Sequence, residues 1–167
     1  DVLSGGNDTV ANDLYGGSGD DIFYVWGAVD RVFEDAGGGF DTVAIQRVLG
    51  NQPFSFSNVE VIRVDAMAGA IINGSAGNER IFGGDGADTL SGGGGNDLIG
   101  GGKGLNLLAG GDGEDAFYFG VAPQVGTLST VSDFDAAQDR FVLKASAFSA
   151  LSGSFNDGET ALDAAAF

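Results

Sequence analysis

Residues Gly74–Tyr118 repeat one nine-residue unit without a gap: GSAGNERIF, GGDGADTLS, GGGGNDLIG, GGKGLNLLA and GGDGEDAFY. Glycine occupies the first and fourth positions of every copy, and the second position of every copy except the first, which has Ser75. A fixed period of this kind is typical of solenoid proteins, in which each repeat stacks on its neighbours. The period therefore predicts the architecture before any single side chain is considered.

Each unit combines a tight turn with a short strand. The Gly-Gly-x-Gly half permits positive φ and close backbone approach, which suits a turn. The other half has one apolar residue between polar or small ones, so it forms a minimal strand with one inward side chain. Each unit then makes half a circuit, and every second unit stacks on the same side about 4.8 Å away. The predicted interior consists of Ile81, Leu90, Ile99, Leu108 and Phe117.

The sixth position of the unit is acidic or an amide in every copy. Stacking places Glu79, Asp97 and Asp115 on one edge of the coil, and Asp88 with Asn106 on the other edge. Two carboxylates about 5 Å apart repel by about 3 kcal/mol at an effective dielectric constant of about 20. Turn carbonyls also need partners where they are enclosed. A hard divalent cation between turns satisfies both groups, and calcium fits better than magnesium because its coordination is larger and more flexible.

The block closely resembles the haemolysin-type, or RTX, calcium-binding repeats, whose consensus is G-G-x-G-x-D-x-U-x. The resemblance implies an all-β fold, a right-handed parallel β-roll, with several Ca²⁺ ions between same-side turns, about four to eight at one per pair of turns. The side-chain ligands that it implies are the position-six residues, with Asp85 and Asp112 at position three as additional candidates: Asp8, Asp21, Asp30, Asp41, Glu79, Asp85, Asp88, Asp97, Asn106, Asp112 and Asp115. The implied backbone ligands are carbonyls around Gly17, Gly19, Gly84, Gly86, Gly93, Gly95, Gly102, Gly104, Gly111 and Gly113.

Departures from the consensus distinguish the two edges. Glu79 is longer than aspartate, Asn106 is uncharged, and Ala70 offers no ligand where the preceding unit should supply one. The edge with Glu79, Asp97 and Asp115 is therefore expected to hold calcium better than the edge with Asp88 and Asn106. Farther along, Asp133 and Asp139 could bind metal or belong to a solvated loop, and both interpretations stay open.

The remaining segments extend the pattern with lower fidelity. We expect degenerate repeats over residues 1–44, a β spacer with a strand at 59–64 over residues 45–73, and a cap with a secretion-associated tail over residues 119–167. Strands are expected at 127–132 and 140–143, and a short helix at 144–151. The segments Ser132–Asp135 and Gln138–Phe141 resemble the region after the roll in type I secreted proteases and alginate epimerase modules. The chain begins inside a repeat, which suggests a fragment of a larger protein.

Composition excludes several function classes. The 24 acidic and 7 basic residues give a net charge of −17, which argues against nucleic acid or an anionic membrane as a partner. Histidine and cysteine are absent, so His/Cys zinc sites, His-based catalytic triads and disulfides are excluded. There is no apolar run of about 18 residues and no signal-peptide pattern, so neither a membrane span nor an N-terminal signal peptide is predicted.

The predicted function is a non-catalytic calcium-binding module of a secreted, extracellular bacterial protein. We expect it to fold on binding Ca²⁺ outside the cell after export by a type I system, and to stabilise the larger protein. One alternative is an adhesin or accessory module that binds extracellular polysaccharide or a cell-surface protein. A second is part of a secreted hydrolase whose active site lies elsewhere, since no carboxylate pair stands out from the repeat.

Overall fold

The computed structural model describes residues 1–148 except residues 9, 28, 123, 125 and 126. This part of the chain contains short β-strands and no helix. The strands are β1 Val2–Ser4, β2 Asp13–Tyr15, β3 Ile22–Val25, β4 Arg31–Phe33, β5 Thr42–Ile45, β6 Pro53–Ser55, β7 Val61–Val64, β8 Ile71–Asn73, β9 Arg80–Phe82, β10 Thr89–Gly94, β11 Leu98–Gly100, β12 Leu107–Asp112, β13 Ala116–Phe119, β14 Thr130–Val131 and β15 Arg140–Leu143.

Successive strands alternate between two sides of a flattened coil. The odd-numbered strands form one eight-stranded sheet in the order β1-β3-β5-β7-β9-β11-β13-β15. The even-numbered strands form a five-stranded sheet, β14-β12-β10-β8-β6, and a separate pair, β2-β4. Every pairing is parallel, and the coil has about seven turns. The predicted parallel β-solenoid is confirmed.

In the repeat block, the core consists of one large inward side chain per strand. On the odd-numbered side the register aligns Ile81 with Ile99 and Ile99 with Phe117, and none of the three is exposed. On the even-numbered side Ile72, Leu90 and Leu108 are aligned in the same way. Burying one such side chain stabilises the folded state by roughly 1.5–3 kcal/mol. The predicted interior of the repeat block is therefore confirmed.

The coil continues outside the regular block. The eight-stranded sheet includes β1, β3 and β5 as well as β7, so the degenerate segment and the spacer belong to the same stack as the regular repeats. Its even-numbered side is interrupted, because β4 does not pair with β6 in the part of the chain that the structure describes. The predicted strand at 59–64 is shorter, Val61–Val64, since Glu60 belongs to the preceding turn.

Aromatic side chains cover the carboxyl-terminal end of the coil. The rings of Phe134 and Phe141 stack with centroids 4.3 Å apart, and both contact Phe117 at 6.2 Å. The predicted strand at 140–143 is confirmed as β15, whereas the strand expected at 127–132 is shortened to Thr130–Val131.

The helix predicted at 144–151 does not form in its described portion. Residues 145–147 form a turn, in which the Ala147 N–H donates to the Lys144 carbonyl. The rest of that segment and the tail up to residue 167 lie outside the described residues. Within the described ranges, no helix has the length and apolarity needed to cross a membrane.

Candidate metal centre

The residues that precede the strands line the two edges of the coil as columns. We call the edge before the odd-numbered strands the acidic edge, because every residue aligned there is acidic: Asp1, Asp21, Asp41, Glu60, Glu79, Asp97, Asp115 and Asp139. We call the other edge the mixed edge, because its column is largely neutral: Asn12, Asp30, Gln52, Ala70, Asp88, Asn106 and Ser129. The predicted distribution of the five repeat residues between two edges is confirmed by this register.

Several carboxylates of the acidic edge accept a backbone N–H from the preceding turn. The backbone N–H of Asp97 donates to Asp115 Oδ1 at 2.8 Å, and that of Glu79 donates to Asp97 Oδ1 at 2.7 Å. The N–H of Asp21 donates to Asp41 Oδ1 at 2.9 Å in the same way. One oxygen of each carboxylate is therefore consumed by a hydrogen bond that sets the stacking register.

The second oxygen of these carboxylates is buried without a hydrogen-bond partner. On the acidic edge this applies to Oδ2 of Asp21, Asp41, Asp97 and Asp115, and on the mixed edge to Oδ2 of Asp88. Leaving one buried acceptor unsatisfied costs about 1–3 kcal/mol, and more when the acceptor is charged. These oxygens therefore need a positively charged or donating partner.

Glycine at the first position of the unit leaves space beside each unpartnered oxygen. A Cβ atom added at Gly92 would contact Asp97 Oδ2 and lie 2.6 Å from the Gly110 carbonyl oxygen. A Cβ atom at Gly83 would likewise contact Asp88 Oδ2 and lie 2.5 Å from the Gly101 carbonyl oxygen. A carboxylate oxygen and a carbonyl oxygen from the next turn thus face one space free of side chains. Such oxygen-only donors fit calcium.

The electrostatics of the acidic edge disfavour ionisation in the absence of a cation. The pKa of Asp97 is raised to about 7, chiefly by burial and also by the charges of Glu79 and Asp115, against a backbone hydrogen bond that lowers it. Burial also raises the pKa values of Asp88 and Asp115. The cost of removing the carboxylates from water is therefore the main effect, and repulsion along the column adds to it.

Asparagine amides replace the missing partner at two positions of the mixed edge. The Asn106 side-chain amide donates to the Lys103 carbonyl and to Ser129 Oγ. The Asn12 amide donates to the Gly5 carbonyl and to Asp30 Oδ1. An amide N–H₂ group thus supplies donors from within the chain, so these two turns have no unpartnered oxygen to offer a cation.

Several predicted ligands lie away from the unpartnered oxygens. Asp85 is exposed and pairs with Lys103 at 2.9 Å, and Asp112 is also exposed. Asp8 is exposed, and its Oδ1 accepts the N–H of Val10. The register gives the corresponding edge position to Asn12, which lies 18 residues before Asp30, as in the regular repeats.

Other predicted ligands lie in or beside the edges with their oxygens already partnered. Asp30 accepts the backbone N–H groups of Asn12 and Trp26. Glu79 accepts the Ser75 hydroxyl and the Ser75 N–H, so the two departures from the consensus in the first repeat compensate each other. Near the carboxyl-terminal end, the Asp133 oxygens also have partners, because they accept the N–H groups of Gly110 and Gly111. The Asp139 oxygens accept the N–H groups of Asp115 and Asp135.

Most of the glycines predicted to supply carbonyls lie in turns, whereas Gly93 and Gly111 lie within β10 and β12. Positive φ angles occur at Gly17, Gly19, Gly93, Gly95, Gly102, Gly104, Gly111 and Gly113, whereas Gly84 and Gly86 lie outside that region. The carbonyls of Gly101 and Gly110, at the first position of the unit, border the spaces beside Oδ2 of Asp88 and Asp97. The sequence pattern does not show which carbonyls of the turns point inward.

Glu60 of the acidic edge and Glu34 beside it were also not predicted. Glu60 accepts the Asp41 N–H at 2.7 Å and continues the column across the spacer, and its 19-residue separation from Asp41 was the available signal. Glu34 lies in a two-residue insertion, where no count based on nine residues assigns it a position. Its Oε2 atom is buried and unpartnered beside Asp21 and Asp41.

Comparison with known families agrees with this geometry. Residues 73–108 match the family model of the RTX calcium-binding nonapeptide repeat, in four copies. No curated protein matches the chain. RTX repeats are typical of secreted bacterial proteins, and an RTX repeat module is a non-catalytic calcium-binding domain. The matching repeats together with the parallel β-solenoid support an RTX β-roll module.

Proposed function

We propose that this module folds when it binds calcium outside the cell. The observation that carries the proposal is the set of unpartnered carboxylate oxygens along the acidic edge, in the N-terminal turns and again at Asp97 and Asp115. The residues that would hold calcium in the regular block are Asp97, Asp115 and Asp88, together with the carbonyls of Gly110 and Gly101. Bound calcium would supply the positive charge and the multiple oxygen coordination that these atoms need.

The charge of the chain makes folding without a cation unfavourable. The net charge of −17 is concentrated in part along one edge, and each unpartnered buried oxygen costs about 1–3 kcal/mol or more. Domains are usually stable by only about 5–15 kcal/mol, so a few such groups offset most of that margin. Where free calcium is scarce, the chain is expected to remain unfolded. At the roughly millimolar affinities typical of extracellular sites, it folds as the ion binds.

This dependence suits export from a bacterial cell. An unfolded, strongly acidic chain is suited to pass through a type I exporter, and RTX repeats are typical of secreted bacterial proteins. Folding outside would then prevent return and stabilise the larger protein of which this module is a part. Both roles follow from the same property, which is that the folded state is stable only when the charge of the carboxylate column is neutralised.

Circular dichroism during a calcium titration tests the proposal. The chain is prepared in a chelator, and β-structure is followed as calcium or magnesium is added at equal ionic strength. We expect β-structure to appear cooperatively with calcium, and magnesium to act far less well because it needs a small octahedral site. A fully formed β-roll in chelator, or equal action of the two ions, would sink the proposal.

A second candidate, binding of extracellular polysaccharide, has one specific observation in its favour. Phe82 and Tyr118 lie on the outer side of the eight-stranded sheet with rings 6.4 Å apart at 90°, on either side of Gly100. Aromatic rings of this kind can stack on sugars as well as pack against each other. Retention of the calcium-loaded module on acidic and neutral polysaccharide resins, compared with Phe82→Ala, tests it. Equal elution of both forms in the void volume would remove this candidate.

A further inference from the structure

Three carboxylates converge at the amino-terminal end of the coil, outside the repeats that match the family. Asp21 and Asp41 belong to the acidic edge, and Glu34 begins the turn between β4 and β5. One oxygen of each of these side chains lies within 4.8 Å of the other two. Each turn of the regular column contributes one carboxylate, and Glu34 adds a third carboxylate beside the two that Asp21 and Asp41 contribute.

The oxygens that face this cluster have no hydrogen-bond partner. Asp21 and Asp41 are each 1% exposed, and Oδ2 of both is unpartnered. Oε2 of Glu34 is also buried and unpartnered. Three such acceptors at one point leave the cluster incomplete without a cation, since each of them needs a donor or a positive charge.

The Glu34 side chain is held in place for this role. Its Oε1 accepts the N–H of Asp35 at 3.0 Å, and its backbone carbonyl accepts the Asn58 side-chain amide at 2.9 Å. Gly16 leaves room for it, because a Cβ atom added there would contact Glu34 Oε2 and lie 2.8 Å from Asp21 Oδ2. Glu34 therefore stands at the position of Gly16 one turn later and directs a charged oxygen into the space that glycine leaves open.

The positive charge near the cluster does not pair with its unpartnered oxygens. Of the ion pairs in the described part of the chain, one involves the cluster, and it joins the Asp1 amino group to Asp21 Oδ1 at 2.5 Å. In the regular block the equivalent atom is Asp97 Oδ1, which accepts the backbone N–H of Glu79 from the preceding turn. The Oδ2 and Oε2 atoms of the cluster remain without a counter-charge.

We propose that Asp21, Glu34 and Asp41 form a calcium site in which Glu34 supplies a third carboxylate. This site rests on the proposed calcium binding of the module, but its donors differ from those of the regular turns, where one carboxylate and backbone carbonyls face each space. Three hard, charged oxygens favour a divalent cation over sodium or potassium, and affinity in calcium sites increases with the number of charged ligands. The site is therefore the highest-affinity calcium site of the module, and it lies outside the repeats that match the family model.

Calcium-binding calorimetry on matched variants tests the site. Glu34→Gln keeps the size of the side chain and removes its charge, while Asp35→Asn removes one charge from the exposed neighbouring residue of the same insertion. We expect Glu34→Gln to weaken the tightest calcium-binding step by about tenfold or more and Asp35→Asn to leave it unchanged. Native mass spectrometry at a calcium concentration that fills only this step should show one bound ion in wild type and in Asp35→Asn, and none in Glu34→Gln.

A third variant separates failure of this site from failure of the proposed function. Asp97→Asn acts only in the regular block. If Asp97→Asn weakens calcium binding and Glu34→Gln matches wild type in affinity and ion count, the three-carboxylate site is wrong and the function stands. If wild type binds no calcium at all, both are wrong. Circular dichroism in saturating calcium shows whether each variant is folded, and Glu34→Ala repeats the test without an amide in the site.

Discussion

The Oδ1 atom of Asp115 accepts the backbone N–H of Asp97 at 2.8 Å, while its Oδ2 atom is buried without a partner. Asp97 repeats this relationship with Glu79 one turn earlier. One oxygen thus fixes the stacking of successive turns, and the other requires a cation. Because both belong to one carboxylate, the geometry that builds the coil also creates its metal sites.

Asp97→Asn should uncouple folding from calcium in part. The amide oxygen can still accept the Glu79 N–H, and the amide nitrogen can donate to the nearby Gly110 carbonyl, as the Asn106 amide donates to Lys103. We expect the metal-free folded state to be stabilised by about 1–3 kcal/mol, with weaker calcium binding in the regular block. Circular dichroism in chelator and calorimetry measure the two effects. Asp85→Asn, at an exposed ion pair, is the control and should change neither by much.

Asn106→Asp should have the opposite effect on the mixed edge. Its amide donates to the Lys103 carbonyl and Ser129 Oγ, and a carboxylate would place an acceptor against that carbonyl. We expect the metal-free coil to lose about 1–3 kcal/mol and the calcium-loaded module to bind one additional ion. Native mass spectrometry counts the ions. Gln124→Glu adds the same charge at an exposed residue, and an equal gain there would contradict the explanation.

Acidification should promote folding of the metal-free chain. The pKa of Asp97 is raised from 3.8 to about 7 in the folded state, and those of Asp41, Asp88 and Asp115 are raised as well. Between about pH 4 and pH 7 the folded state therefore binds more protons than the unfolded chain, so its stability decreases as the pH rises. In chelator we expect more β-structure at pH 5 than at pH 7.5.

Calcium should reverse this pH dependence. Protons compete with the ion for the same carboxylates, so in limiting calcium the lower pH should weaken binding. Circular dichroism at both pH values, with and without calcium, makes the comparison in one set of samples. Metal-free β-structure that increases from pH 5 to pH 7.5 would contradict the raised pKa values.

Gly111→Ala should destabilise the calcium-loaded module. Gly111 has a φ of 102°, and a Cβ atom there would overlap the Gly93 carbonyl oxygen one turn away. We expect a loss of about 1–3 kcal/mol, measured by thermal unfolding in saturating calcium. Gly94→Ala is the matched control, because its Cβ would meet no atom closer than 3.7 Å. Equal losses for the two variants would show that the close stacking of turns is not the cause.

The regular block was predictable because its period is constant. An 18-residue spacing separates Glu79, Asp97 and Asp115 along the acidic edge, so counting alone placed them in one column. The spacing is 20 residues between Asp21 and Asp41, 19 between Asp41 and Glu60, and 24 between Asp115 and Asp139. Where the turn length varies, counting by nine no longer identifies the edge residue. At the amino-terminal end the local match at residues 6–10 indicates Asp8, whereas the register gives the edge position to Asn12.

The sequence by itself determined the parallel coil, its apolar interior and the two unequal edges, because turn-forming glycine and one inward residue per strand recur at a fixed interval. The tertiary structure alone decided which oxygens are left without a partner. That outcome depends on the donors that each turn places nearby: Ser75 satisfies Glu79, the Asn12 amide satisfies Asp30, and nothing in the described chain satisfies Oδ2 of Asp97. The tertiary structure also brings Glu34 next to Asp21 and Asp41, since the pairing of β3 with β5 fixes the register across an insertion that the repeat does not encode.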